Sequence, residues 1–164
     1  MSSSPEILPT VAIIVPCLNE AKFIKNFVKQ VLALDYPPDR CTLFVVDGMS
    51  TDGTREILGL LASDEPRLHM LDNPARTTAC ALNRALQASQ SDIVLRLDVH
   101  ADYPREYLRH LVDLLQRTGA KRRGAASDKS RNDSPGAGLR LADFGPFRQW
   151  RCALACPSSG RDGS

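Results

Sequence analysis

The segment Ser91-Asp-Ile-Val-Leu-Arg96-Leu-Asp98-Val-His100-Ala-Asp102-Tyr-Pro104 decides how this chain is read. Ile93 to Leu97 is a short apolar run that predicts a strand, with Arg96 its only charge. Asp98, His100 and Asp102 then follow on alternate positions, and Pro104 opens an amphipathic stretch at a point where helices start. Acidic and imidazole groups at the carboxyl end of a strand stand where open α/β sheets bind ligands. A carboxylate and an imidazole at this spacing can also meet one divalent cation. Taken alone, the segment reads first as a polar strand-to-helix turn with Asp102 as a helix cap, and the rest of the chain reverses that reading.

The pattern repeats upstream. Val11 to Val15 is a continuous β-branched and apolar run, as expected of a strand buried on both faces of a parallel sheet. Pro16 is expected to end it, and Cys17-Leu18-Asn19-Glu20 to turn into a helix. That helix carries Phe23, Ile24, Phe27, Val28, Val31 and Leu32 at helical spacing, with Lys22, Lys25 and Lys29 opposite. Tyr36-Pro37-Pro38 stops it. Leu43 to Val46 predicts a second strand, followed by a loop rich in glycine, aspartate and hydroxyls, Asp47 to Thr54, and a helix through Ile57, Leu58 and Leu61. Leu68 to Leu71 predicts a third strand. A loop through Asn73-Pro74-Ala75-Arg76 and a helix with Ala79, Leu82, Ala85 and Leu86 on one face come next. Ile93 to Leu97 is the fourth strand, and the last helix is expected from about Pro104 to Thr118, with Gly119 as its C-terminal cap. Strands alternating with helices predict an α/β domain with a mostly parallel sheet and right-handed crossovers.

Composition narrows the classes. The 164 residues suit one domain with a sizeable core. Lys and Arg number 21 against 19 Asp and Glu, a net +2, so bulk charge directs the chain to neither nucleic acid nor membrane. Cys17, Cys41, Cys80, Cys152 and Cys156 are scattered, without a Cys-x-x-Cys pair, and read as reduced thiols of a cytoplasmic protein. No signal peptide or bilayer-spanning run is expected, so any membrane association would come from parts outside this chain.

Residues 1–9 read as an N-terminal extension, 10–119 as the folded domain, and 120–164 as a low-order basic tail. That tail holds no Ile or Val, and nine Lys and Arg against four Asp. No strand or helix period survives in it. A shifted reading frame or a truncated gene is expected to produce such a change of character.

Several motifs agree in order and spacing with one family. Val11-Ala-Ile-Ile-Val-Pro16-Cys-Leu-Asn19-Glu20, then Phe44-Val-Val-Asp47-Gly48-Met-Ser50-Thr-Asp52-Gly53-Thr54, then Asn73-Pro74 and Ala81-Leu-Asn83, and finally Arg96-Leu-Asp98-Val-His100-Ala101 resemble the N-terminal half of inverting family 2 glycosyltransferases. The last motif is similar to that of the bacterial exopolysaccharide, succinoglycan-type branch. The resemblance covers residues 10–118. Three departures stand out. Gly48 occupies the place of a second aspartate, Met49 that of the glycine after it, and His100 that of the second acid of an Asp-x-Asp motif.

The resemblance implies a GT-A, Rossmann-like nucleotide-diphospho-sugar fold, left incomplete at the C-terminus by this chain. It implies a nucleotide-diphosphate sugar as donor and a glycan or lipid-linked acceptor, with inversion, in exopolysaccharide or cell-envelope glycan synthesis. By the same resemblance Pro16, Asn19, Glu20, Asp47, Arg76 and Asp98 hold the donor. Asp47 accepts the base N–H, Glu20 meets base or ribose, and Arg76 adds a cation near the diphosphate. Asp98 and His100 hold a divalent metal, Mn²⁺ or Mg²⁺, and the imidazole favours Mn²⁺. Asp52 reads as a helix cap, and His69 and His110 as inert. Asn83 either serves the site or simply packs in its helix. No general base with a recognisable setting appears between Gly119 and Ser164. Two other readings stay open: a nucleotide-binding protein without transferase activity, and a flavodoxin- or receiver-type doubly wound domain.

Overall fold

A computed structural model describes residues 8–118 and 125–127. The elements are β1 (Val11–Cys17), α1 (Ile24–Leu32), β2 (Cys41–Asp47), α2 (Thr54–Asp64), β3 (Leu68–Asp72), α3 (Thr78–Ala88), β4 (Ile93–Arg96), α4 (Tyr107–Arg117) and β5 (Ala125–Ser127). The expected tail, and the idea of a shifted frame, lie outside the described residues except at β5, a strand that no periodicity in the sequence signals.

The strands form a five-stranded sheet in the order β3-β2-β1-β4-β5, and every pairing is parallel. β1 is therefore flanked on both sides, which explains its continuous apolar run: Val11 to Val15 have no exposed surface. Alternate residues of β1 feed opposite faces. Val11, Ile13 and Val15 pack with Ile24, Phe27, Val28 and Val31 of α1, Leu58 of α2 and Leu108, Leu111 and Val112 of α4. Ala12 and Ile14 pack with Phe44, Val46 and Val94 against Ala81 and Ala85 of α3. The small residues of α3 let that helix lie close to the sheet.

The strand order separates two open readings. A flavodoxin- or receiver-type sheet runs 2-1-3-4-5, with β1 between β2 and β3. Here β1 lies between β2 and β4, which excludes that alternative. Chain direction across the sheet reverses at β1 and β4, and it is outside the carboxyl ends of such a pair that open α/β sheets take ligands.

Pro16 does not end β1, which continues to Cys17. The Ile14 carbonyl accepts from Leu97 N on the β4 side, and the Cys17 carbonyl from Gly48 N on the β2 side. Alternation puts the missing N–H of Pro16 on the β4 side, beyond Ile14↔Arg96, the last β1–β4 pair. No ladder bond is lost there. The last helix begins at Tyr107, later than Pro104, with Glu106 at its N-cap and no side-chain cap. Asp102 does not cap it. Cys17 and Cys41 are free thiols, whereas Cys80 is disulfide-bonded, so the expectation of reduced thiols holds at two of the three described cysteines. Among the described residues no helix is long and apolar enough to cross a membrane.

Candidate functional site

The turn after β1 is bonded to the turn after β2. Asn19, at φ 57°, takes the left-handed conformation that asparagine tolerates better than most side chains. Its N–H donates to Ser50 Oγ at 2.8 Å, and its Oδ1 accepts from Thr51 N at 3.0 Å. Glu20 N donates to Thr54 Oγ1 at 2.8 Å and Ala21 N to Asp52 Oδ2 at 3.0 Å. The Glu20 carbonyl then accepts from Phe23 and Ile24, starting α1.

These bonds aim Glu20 across the β1–β4 junction. Its Oε1 lies 2.9 Å from His100 Nε2, and the Phe23 ring meets the imidazole edge-on at 5.1 Å between centroids. Asp98 is the other member of the β4 turn. Its N–H donates to Tyr103 Oη at 2.9 Å, and its Oδ1 accepts from His100 N at 3.1 Å. Asp98 and His100 are exposed and Glu20 half-buried. Beside them a cavity of about 510 Å³ is lined by Phe23, Asn26, Phe27, Gln30, Val99, His100, Ala101 and Asp102.

Asp47 stands at the same sheet edge, paired in register with Cys17, but its side chain has no exposed surface. Four donors already reach its carboxylate: Cys17 Sγ, Ser50 N at 3.0 Å, Ser50 Oγ and Arg55 Nη1 at 2.7 Å. Burial alone would raise its pKa. The Ser50 hydroxyl and N–H and the Arg55 guanidinium outweigh that and hold the carboxyl below its ordinary value. The sequence marks Asp47 as an acceptor for a base N–H; in this structure its carboxylate takes donors from the protein itself. With every lone-pair direction engaged inside the protein, it organises the turn. The buried Cys17 thiol beside it is pushed up to about 12, first by burial and then by the Asp47 charge.

Asp52 does more than cap a helix. Gly53, at φ 98°, is the N-cap of α2, while Asp52 accepts from Thr54 N, Thr54 Oγ1 and, across the gap, Ala21 N. Hydrogen bonds from Thr54 and Ala21 lower its pKa. Arg76 is exposed in the turn after β3, at φ 56°, with its N–H on the Asn73 carbonyl. Arg76 follows β3, two strands away from β1. Pro16 is partly buried within β1. Asn73 donates from Nδ2 to the Thr77 carbonyl at 2.9 Å, and its buried Oδ1 has no partner. His69 stacks on Phe44, centroids 5.2 Å apart, consistent with an inert role.

Arg55, Ser50 and Thr54 hold this edge together; Ser50 and Thr54 stand in the second motif without an assigned role, and Arg55 lies just beyond it. One signal for Arg55 was available: a cation in the first turn of a helix opposes the helix dipole, and such a placement calls for a local carboxylate.

Among the described residues no cluster of three or more His, Cys, Asp or Glu could enclose a metal ion. Two donors of the right kind, the Asp98 carboxylate and the His100 imidazole, fit a metal that completes its shell with water and substrate phosphates rather than a protein-only cage.

The fold and the sequence have relatives among known proteins. A model of the family described as Glycosyl transferase family 2 matches residues 12–149. The succinoglycan biosynthesis protein ExoA of Rhizobium meliloti (strain 1021) is 42% identical over 121 residues, covering 72% of this chain and 36% of that protein. A beta-monoglucosyldiacylglycerol synthase of Synechocystis sp. is 37% identical over 107 residues, 63% of this chain and 22% of that protein. The mannosyltransferase PcManGT from Pyrobaculum calidifontis, solved with GDP-Man and Mn²⁺, superposes with a TM-score of 0.63 at 35% identity over 70% of this chain and 34% of that one. The chain thus spans about a third or less of the length of these relatives. A nucleotide-sugar transferase fold, its strand-end residues at the β1–β4 junction and a match across most of the sequence converge: the chain belongs to glycosyl transferase family 2.

Proposed function

We propose that this chain holds the nucleotide-diphosphate sugar of an inverting sugar transferase that acts on a glycan or lipid-linked acceptor in exopolysaccharide or cell-envelope glycan synthesis. The observation that carries the reading is the Glu20–His100 contact at 2.9 Å, beside Asp98, at the point where the strand order reverses. The similarity to ExoA supports the exopolysaccharide setting.

The residues divide the task by chemistry. A carboxylate only accepts, so in the neutral imidazole His100 Nε2 carries the proton toward Glu20 and Nδ1 keeps the free lone pair. Asp98 and His100 Nδ1 would hold a divalent metal, and an imidazole ligand favours Mn²⁺ over Mg²⁺. Such a metal, when bound, supplies Lewis-acid neutralisation of the departing diphosphate. Glu20 orients the imidazole that would hold it. Asn19 and Ala21 fix Glu20 through the β2 turn, so the strand ends form one preorganised edge. The acceptor is proposed to approach on the side of Phe23 and Asp102, where the cavity offers a half-exposed aromatic face with Asn26, Gln30 and Asp102 around it.

Calorimetry of the 164-residue chain with guanosine and uridine diphosphates, with and without Mn²⁺, tests the reading. Binding strengthened by Mn²⁺ in the wild type and indifferent to it after Asp98→Ala supports it. No nucleotide binding under any condition refutes it.

A further inference from the structure

The β2 end of this chain lacks an available carboxylate. Gly48 stands where the family pattern has its second aspartate, and a Cβ there would meet Leu18 Cδ1 at 3.2 Å and the Cys17 carbonyl at 3.4 Å. Asp47 is sealed, with no exposed surface. Any nucleoside group that donates N–H or O–H at this part of the edge needs another acceptor.

Arg55 points to one. From the first turn of α2 its guanidinium reaches back over the β2 turn, with Nη1 2.7 Å from Asp47 Oδ2 and Nη2 2.8 Å from Asp72 Oδ1. Asp72 is the register partner of Asp47 on β3, but its side chain is 53% exposed where that of Asp47 is 0%. The next residue's N–H, Asn73 N, donates to the Asp47 carbonyl at 2.7 Å. One cation therefore clamps two neighbouring strand ends, and the backbone reinforces the clamp. Planar, bidentate geometry is what an arginine supplies and a lysine does not. Two carboxylates share one guanidinium, and only that of Asp72 is open to solvent.

We infer that Arg55 is a positioning residue for the donor site and that Asp72, rather than Asp47, is the carboxylate this edge presents to the nucleoside of the donor. The inference rests on the donor-site reading above. Arg55 takes up Asp47 Oδ2, which keeps Ser50 and, through it, Asn19 in place. It takes up only Oδ1 of Asp72 and so holds that side chain at the sheet edge with its other oxygen open to a ribose hydroxyl or a base N–H. Gly48 fits the same scheme, because a side chain there would press on Leu18 between the two turns.

Two readouts on the full 164-residue chain separate the parts. The Ser50 amide donates to Asp47 Oδ2, so its hydrogen exchange reports the clamp without any ligand. Arg55→Met should speed exchange of the Ser50 amide by tenfold or more, and Arg55→Lys should rescue it only in part, since a point charge cannot bridge both acids; roughly this factor corresponds to one charged hydrogen bond. Asp72→Asn should weaken guanosine or uridine diphosphate by about tenfold to a hundredfold while exchange at Leu43 to Val46 in the sheet stays as in the wild type. Unchanged Ser50 exchange in both Arg55 variants overturns the positioning role. Wild-type nucleotide affinity in Asp72→Asn overturns the role of Asp72. If the wild type binds no nucleotide, the proposed function fails and the assignment of Asp72 falls with it, whereas the Arg55 clamp is still decided by the exchange measurement.

Discussion

Glu20 and His100, 80 residues apart in the chain, meet at 2.9 Å between a carboxylate oxygen and an imidazole nitrogen. They follow β1 and β4, the two strands between which the sheet changes direction, and Phe23 braces the ring from the α1 side. A carboxylate that orients a histidine sets which ring nitrogen is left for another partner.

That pairing gives the first prediction. Glu20→Ala should lower the Mn²⁺ affinity of the nucleoside diphosphate-loaded chain by about 10–100-fold, the usual effect of losing a carboxylate behind a histidine ligand. Electron paramagnetic resonance of free Mn²⁺ reads this directly. Affinity equal to the wild type would remove Glu20 from the orienting role.

Asp47→Asn should act on stability before it acts on binding. It leaves the Arg55 guanidinium and the Ser50 donors facing a neutral amide in a buried turn, where a hydrogen bond to a charged group contributes about 1.5–3 kcal/mol. Urea unfolding of wild type and variant measures the loss. A difference below about 0.5 kcal/mol, the size of an ordinary surface substitution, would contradict the structural role given to this residue.

The same carboxylate predicts a pH dependence. Its folded-state pKa is lowered below the ordinary 3.8, so in acid the unfolded chain binds the proton more readily than the folded one. The stabilisation is fully present above about pH 4 and disappears as pH falls through the lowered folded value. Between pH 5 and pH 2 the wild type should lose more stability than Asp47→Asn, and parallel melting curves across that range would contradict the assignment.

Burial makes two thiols inert. It raises the pKa of Cys17 to about 12, with Asp47 adding to the shift, and that of Cys41 to about 11. Because the thiolate is the reactive form, neither should react with a disulfide reagent at pH 8 until the chain unfolds. Peptide mapping after brief labelling checks this. Rapid modification of Cys17 in the folded protein would mean that the β1–β2 edge is open.

Much of the architecture was legible in the sequence because it is local. Uninterrupted apolar runs at Val11–Val15 and Leu43–Val46 require burial on both faces, and their alternation with amphipathic helices leaves few topologies besides a parallel α/β sheet. The motifs likewise marked Asn19, Glu20, Asp98 and His100 as strand-end residues. Other features depended on partners far away in sequence. Pro16 stays within β1 because β4 has already stopped pairing beside it. β5 is a strand through its pairing with β4 and not through any period of its own.

The candidate site divides along the same line. Which residue types stand after which strand is written in the chain, since a strand and the turn behind it are contiguous. Which of those side chains face solvent is not. Asp47 and Asp72 are both aspartates at strand ends and share Arg55, and only the folded turn, which brings Cys17 and Ser50 onto Asp47 as well and leaves Asp72 half exposed, tells them apart. Glu20 and His100 become neighbours only because β4 inserts beside β1 instead of beyond β3. Strand order is a contest between long-range packing arrangements, and short-range patterns of hydrophobicity and turn chemistry carry almost no energy that discriminates among them.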